Sequence, residues 1–143
     1  MLVPLSSNNA STSLVEFGEH AWKIFWKEYQ LSQAKKEWTI QIALLFRPQL
    51  NYFQELITLS WYFFQEPREE KINLDFSELR KISQLFSKIE QWTEENVKKS
   101  LTSIEKNFFS SIRKKITGEN RGPELAKVIY LLGKEELIKR LEN

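Results

Sequence analysis

Asp75-Phe76-Ser77-Glu78-Leu79-Arg80-Lys81-Ile82-Ser83-Gln84-Leu85-Phe86-Ser87-Lys88-Ile89 sets the class of the fold. Phe76, Leu79, Ile82, Leu85, Phe86 and Ile89 recur at three- and four-residue steps, which puts them on one face of a helix and the charged residues on the other. The same period runs in both directions from this stretch. Downstream, Trp92-Thr93-Glu94-Glu95 reads as a helix start: Thr93 caps, two carboxylates favour the positive end of the dipole, and Trp92 can staple onto Val97. That helix is expected to continue through Leu101, Ile104 and Phe108. Pro123, suited to a first helical position, opens another to Leu132, and Gly133 divides it from a last one over Lys134 to Leu141. Upstream, Val15, Phe17, Trp22, Phe25, Trp26 and Tyr29 mark a helix from Leu14. A second covers Lys36 to Phe46 and stops at Pro48, and a very apolar third covers Asn51 to Phe64. The expectation is an all-α bundle in two tiers: a disordered leader over residues 1–13, a first helical subdomain over 14–70 and a second over 71–143.

Composition removes most chemistry. The 143 residues include no cysteine and one histidine, His20, so thiolate metal sites, disulfides and cysteine nucleophiles are excluded. A Ser-His-Asp triad or an HExxH helix would have to pass through His20, which has no partner nucleophile at helical spacing. No catalytic residue, metal site or cofactor is therefore expected. The glycines fail as a phosphate-cradling loop, because Gly118, Gly122 and Gly133 follow no strand. Glu66 to Glu70 lacks the alternating oxygens of a calcium loop and reads as a solvated hinge. The N-terminus has no basic flank and the chain no run of apolar residues that could span a bilayer, which predicts a cytoplasmic protein with no membrane partner. Most of the nineteen aromatic side chains share stripes with Leu and Ile and are expected in the core.

Charge is uneven. Residues 66–95 carry a net −3, whereas residues 96–121 carry +5 through Lys98, Lys99, Lys106, Arg113, Lys114, Lys115 and Arg121. Those cations are candidate phosphate contacts if folding gathers them on one face. Next to them, a cationic helix end, Arg113-Lys114-Lys115-Ile116-Thr117-Gly118, leads through a glycine turn into Gly122-Pro123-Glu124-Leu125. A helix N-terminus beside an arginine suits the phosphates and polar base edges of nucleic acid. The same residues also make a helix-turn-helix corner with solvated lysines, and the chemistry alone leaves both readings open.

The order Arg-x4-Gly, Gly-Pro-Glu-Leu, Leu-Leu-Gly-Lys-Glu-Glu and Arg-Leu resembles the C-terminal end of bacterial-type glutamyl-tRNA synthetases, their helical anticodon-binding part. Leu44-Leu45-Phe46-Arg47, Phe53-Gln54-Glu55-Leu56 and Trp61-Tyr62-Phe63-Phe64-Gln65-Glu66-Pro67 are similar to that family more loosely, so the likeness covers about residues 36–143. It implies an all-α anticodon-recognition module with no chemistry of its own. By the same resemblance Arg113, Gly122, Pro123, Glu124 and Leu125 would lie against the anticodon bases, and Arg47 would read the first of them. The implied partners are a glutamate-type tRNA and a separately encoded synthetase core. The His-Ile-Gly-His-like and Lys-x-Ser-Lys-like signatures of the catalytic portion are absent from the sequence. The alternative is a helical scaffold that keeps the fold and docks a partner protein.

Overall fold

The computed structural model describes residues 13–68 and 71–143; all of the expected leader except Ser13, and Glu69 and Glu70 of the expected hinge, lie outside them. Among the described residues there are eight α-helices and no strand, as the period of the apolar residues requires. They divide into two compact units, one ending at Trp61 and the other beginning at Tyr62.

In the first unit, α1 (Leu14–Tyr29) packs along α2 (Lys36–Phe46), and the short α3 (Glu55–Leu59) closes over both. Ser13 caps α1 by accepting from the Glu16 amide at 3.0 Å. Phe17, Ala21 and Phe25 form the buried face of α1 and meet Ile42, Ala43 and Phe46 of α2 in the core. Two members of the expected stripe fall outside it: Val15 is 74% exposed and Trp26 55% exposed. An α-helix turns 100° per residue, so the row fixed by Phe17, Ala21 and Phe25 leaves positions 15 and 26 on its flank. The long third helix expected from Asn51 is broken. The Glu55 carboxylate accepts from the amides of Asn51 and Tyr52 at 2.7 Å each, which forms a capping turn where the apolar pattern suggested helix. At the other end the buried Ser60 hydroxyl donates to the Leu56 carbonyl, and the chain continues only as a 3-10 turn over Trp61–Phe63.

In the second unit, α4 (Phe76–Ser87) and α8 (Lys134–Glu142) form the most extensive helix pair, α5 (Glu94–Thr102) packs on α7 (Leu125–Leu132), and α6 (Phe109–Thr117) packs on α8. Asp75 and Glu78 make a reciprocal capping box at the start of α4. Because Asp75 is the cap, Phe76 becomes the first helical residue, off the stripe set by Leu79, Ile82 and Phe86, and it is 79% exposed where the spacing had placed it in the core. Thr93 caps α5 as expected, accepting from the Asn96 amide at 3.1 Å. Trp92 donates its indole N–H to the Tyr130 carbonyl at 3.0 Å and so ties the start of α5 to α7. The helix expected to run from Thr93 through Phe108 ends at Thr102. Thr102 and Ser103 turn their hydroxyls back onto the carbonyls of Lys99 and Ser100 at 2.7 and 2.6 Å, and α6 restarts at Phe109.

Arg140 lies inside this unit at 3% exposure. Its Nε donates to Glu136 at 2.8 Å and an Nη to the Ile116 carbonyl at 2.7 Å, so a buried cation on α8 satisfies an otherwise open carbonyl at the end of α6.

Candidate nucleic-acid interface

The second unit shapes one corner with care. α6 ends at Gly118, whose φ of 74° is left-handed and whose amide donates to the Lys114 carbonyl at 2.9 Å, a stop that residues with a Cβ rarely make. The Thr117 hydroxyl donates to the Arg113 carbonyl at 2.7 Å and accepts from the Glu119 amide at 3.0 Å, which fixes the exit of the chain. The loop then returns to α7. Glu124 is the N-cap residue and its side chain accepts from no amide of the first turn, so the helix begins at Leu125. The expected helical start at Pro123 is thus displaced by two residues, because the Pro123 carbonyl is engaged elsewhere.

It is engaged by Arg113. From the last turns of α6 the guanidinium reaches across the loop, and Nη2 donates to the Pro123 carbonyl at 2.7 Å. Nη1 is buried and has no hydrogen-bond partner among the described residues. It sits over the bare α-carbon of Gly122, where a Cβ would lie 2.9 Å from Nη1 and 3.6 Å from the Tyr62 hydroxyl. Glycine here allows a close approach. Burial pushes the Arg113 guanidinium below its ordinary range, and the neighbouring Tyr62 opposes that shift. Burial holds the Tyr62 phenol well above the ordinary tyrosine value, with Arg113 pulling the other way and Glu119 adding to the rise. At neutral pH the pair is a charged guanidinium beside a neutral phenol.

Arg113 also borders a cavity of about 440 Å³ with a mainly apolar wall of Leu101, Phe109, Leu125 and Ala126 and a polar rim of Lys98, Arg113, Asn120 and Glu124. Lys98 Nζ pairs with Glu124 across the rim at 3.3 Å, both side chains being well solvated. An apolar slot with a few converging polar groups accommodates a flat heterocycle that stacks on one face and is read at its edge.

The other residues singled out in the sequence are distributed more widely. Gly122, Pro123, Glu124 and Leu125 stand together with Arg113 at the corner. Lys98 is on its rim. Lys99 pairs with Glu95 at 3.7 Å along α5 and lines a separate shallow depression with Gln91 and Asn96. Lys106 is exposed in the 3-10 turn over Lys106–Phe108, and Arg121 is exposed in the loop between α6 and α7. Lys114 and Lys115 border a small cleft with Arg68, Arg140 and Asn143, where Lys115 donates to the Asn143 carbonyl. Arg47 belongs to the first unit. Its guanidinium lies 4.9 Å over the Phe17 ring, at the start of a 3-10 turn that accommodates Pro48. His20 stacks on Phe53 with ring centroids 4.1 Å apart. Among the described residues no cluster of three or more His, Asp and Glu side chains could hold a metal.

Tyr62, Phe109 and Asn120 are not among the candidate site residues that the sequence suggests. Asn120 carried a local signal, a small amide between two turn glycines. Phe109 stands in a Phe-Phe pair that reads as core, and Tyr62 lies too far away in sequence for spacing to connect it with Arg113.

The family model described as "Anticodon binding domain" matches residues 16–143. The chain is 31% identical over 129 residues to the glutamate–tRNA ligase of Bacillus subtilis and 32% identical over 129 residues to that of Bacillus licheniformis, in each case over 80% of this chain and 27% of the relative. A crystal structure of a glutamate tRNA ligase from Elizabethkingia meningosepticum shares the fold, with a TM-score of 0.70 and 18% identity over 90% of this chain and 28% of that one. The chain therefore spans little more than a quarter of the length of these ligases. With the family matched across nearly all of both units, the chain belongs to the anticodon-binding domain family.

Proposed function

We propose that this chain binds the anticodon arm of a glutamate-type tRNA and supplies recognition without chemistry, acting with a ligase core in the cytoplasm. The observation that carries this reading is the corner itself. Arg113 shapes the Gly122–Leu125 turn through the Pro123 carbonyl, and the turn opens onto an apolar slot with a polar rim. A splayed-out base fits such a slot, its face against Phe109 and Leu125 and its edge toward Arg113, Asn120 and Glu124. Lys98 and Arg121 stand near enough in the fold to take the adjoining phosphates, while Lys99, Lys106, Lys114 and Lys115 add longer-range attraction. Arg47, on the first unit, is assigned to the first anticodon base through the family likeness. No described helix is long and apolar enough to cross a membrane.

Nuclease footprinting on a full-length glutamate tRNA tests the assignment. The chain is expected to protect nucleotides of the anticodon loop. Protection confined to the acceptor end, or none at saturating protein, would contradict it.

A further inference from the structure

Arg113 is the hub of the proposed corner, yet one donor bond to Pro123 does not fix the orientation of a guanidinium. The rest of its position comes from what packs around Nη1. Two groups converge there from distant parts of the sequence: the α-carbon of Gly122, in the loop between α6 and α7, and the hydroxyl of Tyr62, from the opening turn of the second unit. Tyr62 is 2% exposed, so its hydroxyl is a polar group held in the interior beside a half-buried cation. A buried charged N–H with no hydrogen-bond partner is costly, and the Tyr62 hydroxyl is a polar group packed close to it.

We propose that Tyr62 is a positioning residue for base recognition: with the bare α-carbon of Gly122 it keeps the Arg113 guanidinium folded onto the Gly122–Leu125 turn and off the solvent. This rests on the RNA reading given above and deepens it. With the Tyr62 hydroxyl in place, Arg113 shapes the turn and presents a fixed edge to the slot, which is what discrimination between bases requires. Without it, the guanidinium swings out through the open side of the slot and becomes one more surface cation. A mobile cation attracts every RNA equally. Tyr62 touches no base in this account and acts only through Arg113.

Two variants of the whole chain, Tyr62→Phe and Gly122→Ala, test the proposal. The first removes the hydroxyl and keeps the ring; the second leaves Tyr62 intact and inserts a methyl carbon 2.9 Å from Nη1, too close for the guanidinium to stay unmoved. Each is titrated with an anticodon-arm hairpin of a glutamate tRNA and with the same hairpin after replacement of its anticodon bases. The Arg113 side-chain N–H resonance is recorded separately in RNA-free protein. Both variants are expected to lose about tenfold of the preference between hairpins with an unchanged salt slope, and to move the Arg113 resonance to the position of solvated arginines. An Arg113 resonance that stays at its wild-type position in Tyr62→Phe overturns the proposal, and so does an equal loss for the two hairpins in that variant. The resonance needs no RNA. If wild-type protein shows no preference between hairpins, the RNA reading fails, and the resonance still decides whether Tyr62 holds Arg113. Should Tyr62→Phe not fold, judged by its amide spectrum, a nuclear Overhauser contact between the Tyr62 ring and the Arg113 side-chain N–H in wild-type protein decides the case: its presence supports the proposal and its absence overturns it.

Discussion

Arg140→Ala is expected to destabilise the second unit by about 3 kcal/mol, more than any surface substitution in the chain. The substitution removes a buried cation that serves two elements at once. The Ile116 carbonyl loses its partner at the end of α6, and Glu136 loses the guanidinium 2.8 Å away. Removing one partner of a fully buried pair costs about 3–5 kcal/mol. The lower end applies because Glu136 is about a third exposed and water can take over part of its charge. The space left by the long side chain adds a cavity between α6 and α8. Arg140→Met, which restores most of the volume and none of the hydrogen bonds, should recover only part of the loss. Urea unfolding of the three proteins measures it: a midpoint for Arg140→Ala within about 1 kcal/mol of wild type, using the common slope, would show that the buried pair contributes little. Since α6 also carries Arg113, the corner is expected to loosen along with the unit, so RNA binding by this variant should be measured well below its unfolding midpoint.

The second large effect is on recognition. Arg113→Ala removes the bond to the Pro123 carbonyl and the cation that covers Gly122. Discrimination among anticodon-loop variants should fall by about 1–3 kcal/mol, roughly 5- to 150-fold, with little change in binding to a non-cognate RNA. Lys114→Ala provides the contrast. Lys114 lies one residue further along α6 but borders the cleft with Arg68 and Arg140, away from the apolar slot. Its loss should weaken all RNAs alike and reduce the log–log salt slope by about 0.7 to 1. Equal losses for the two variants, with discrimination intact in both, would remove the case for base readout by the corner.

Comparison of the two adjacent cations shows where the sequence was informative. Helical periodicity placed Arg113 and Lys114 near the end of one helix, and Gly118 marked its stop, because a left-handed cap and a 3.6-residue period are local properties that local sequence records. The difference between the two side chains is not local. It depends on the Pro123 carbonyl and on Tyr62, which the chain brings to Arg113 from ten and from fifty-one residues away. The same distinction explains the errors in the helices. Apolar runs suggested one helix over Asn51–Phe64 and another through Phe108, and in each the hydroxyls of Ser60, Thr102 and Ser103 bond back to carbonyls where the helix ends. Those serines and threonines were visible in the sequence but were outweighed by the apolar pattern around them. Exposure of Phe76 has a different origin: at 100° per residue it stands about 90° around the helix from the stripe of Leu79, Ile82 and Phe86 that packs inward. The resemblance to the synthetase tail, read above all from the final thirty residues, agrees with the family found across residues 16–143. It could not identify the slot, whose wall is drawn from α5, α6 and α7 together.

The most direct measurement is a filter-binding titration of the whole chain against a glutamate tRNA and an unrelated tRNA at a low and a near-physiological salt concentration. Phosphate contacts weaken both complexes as salt rises, whereas contacts to bases in the slot do not depend on salt to first order. The expected result is tighter binding to the glutamate tRNA at both concentrations, with the ratio between the two RNAs preserved while both affinities fall. Equal affinity for the two RNAs at both concentrations would contradict the assignment of the Arg113 corner to anticodon recognition.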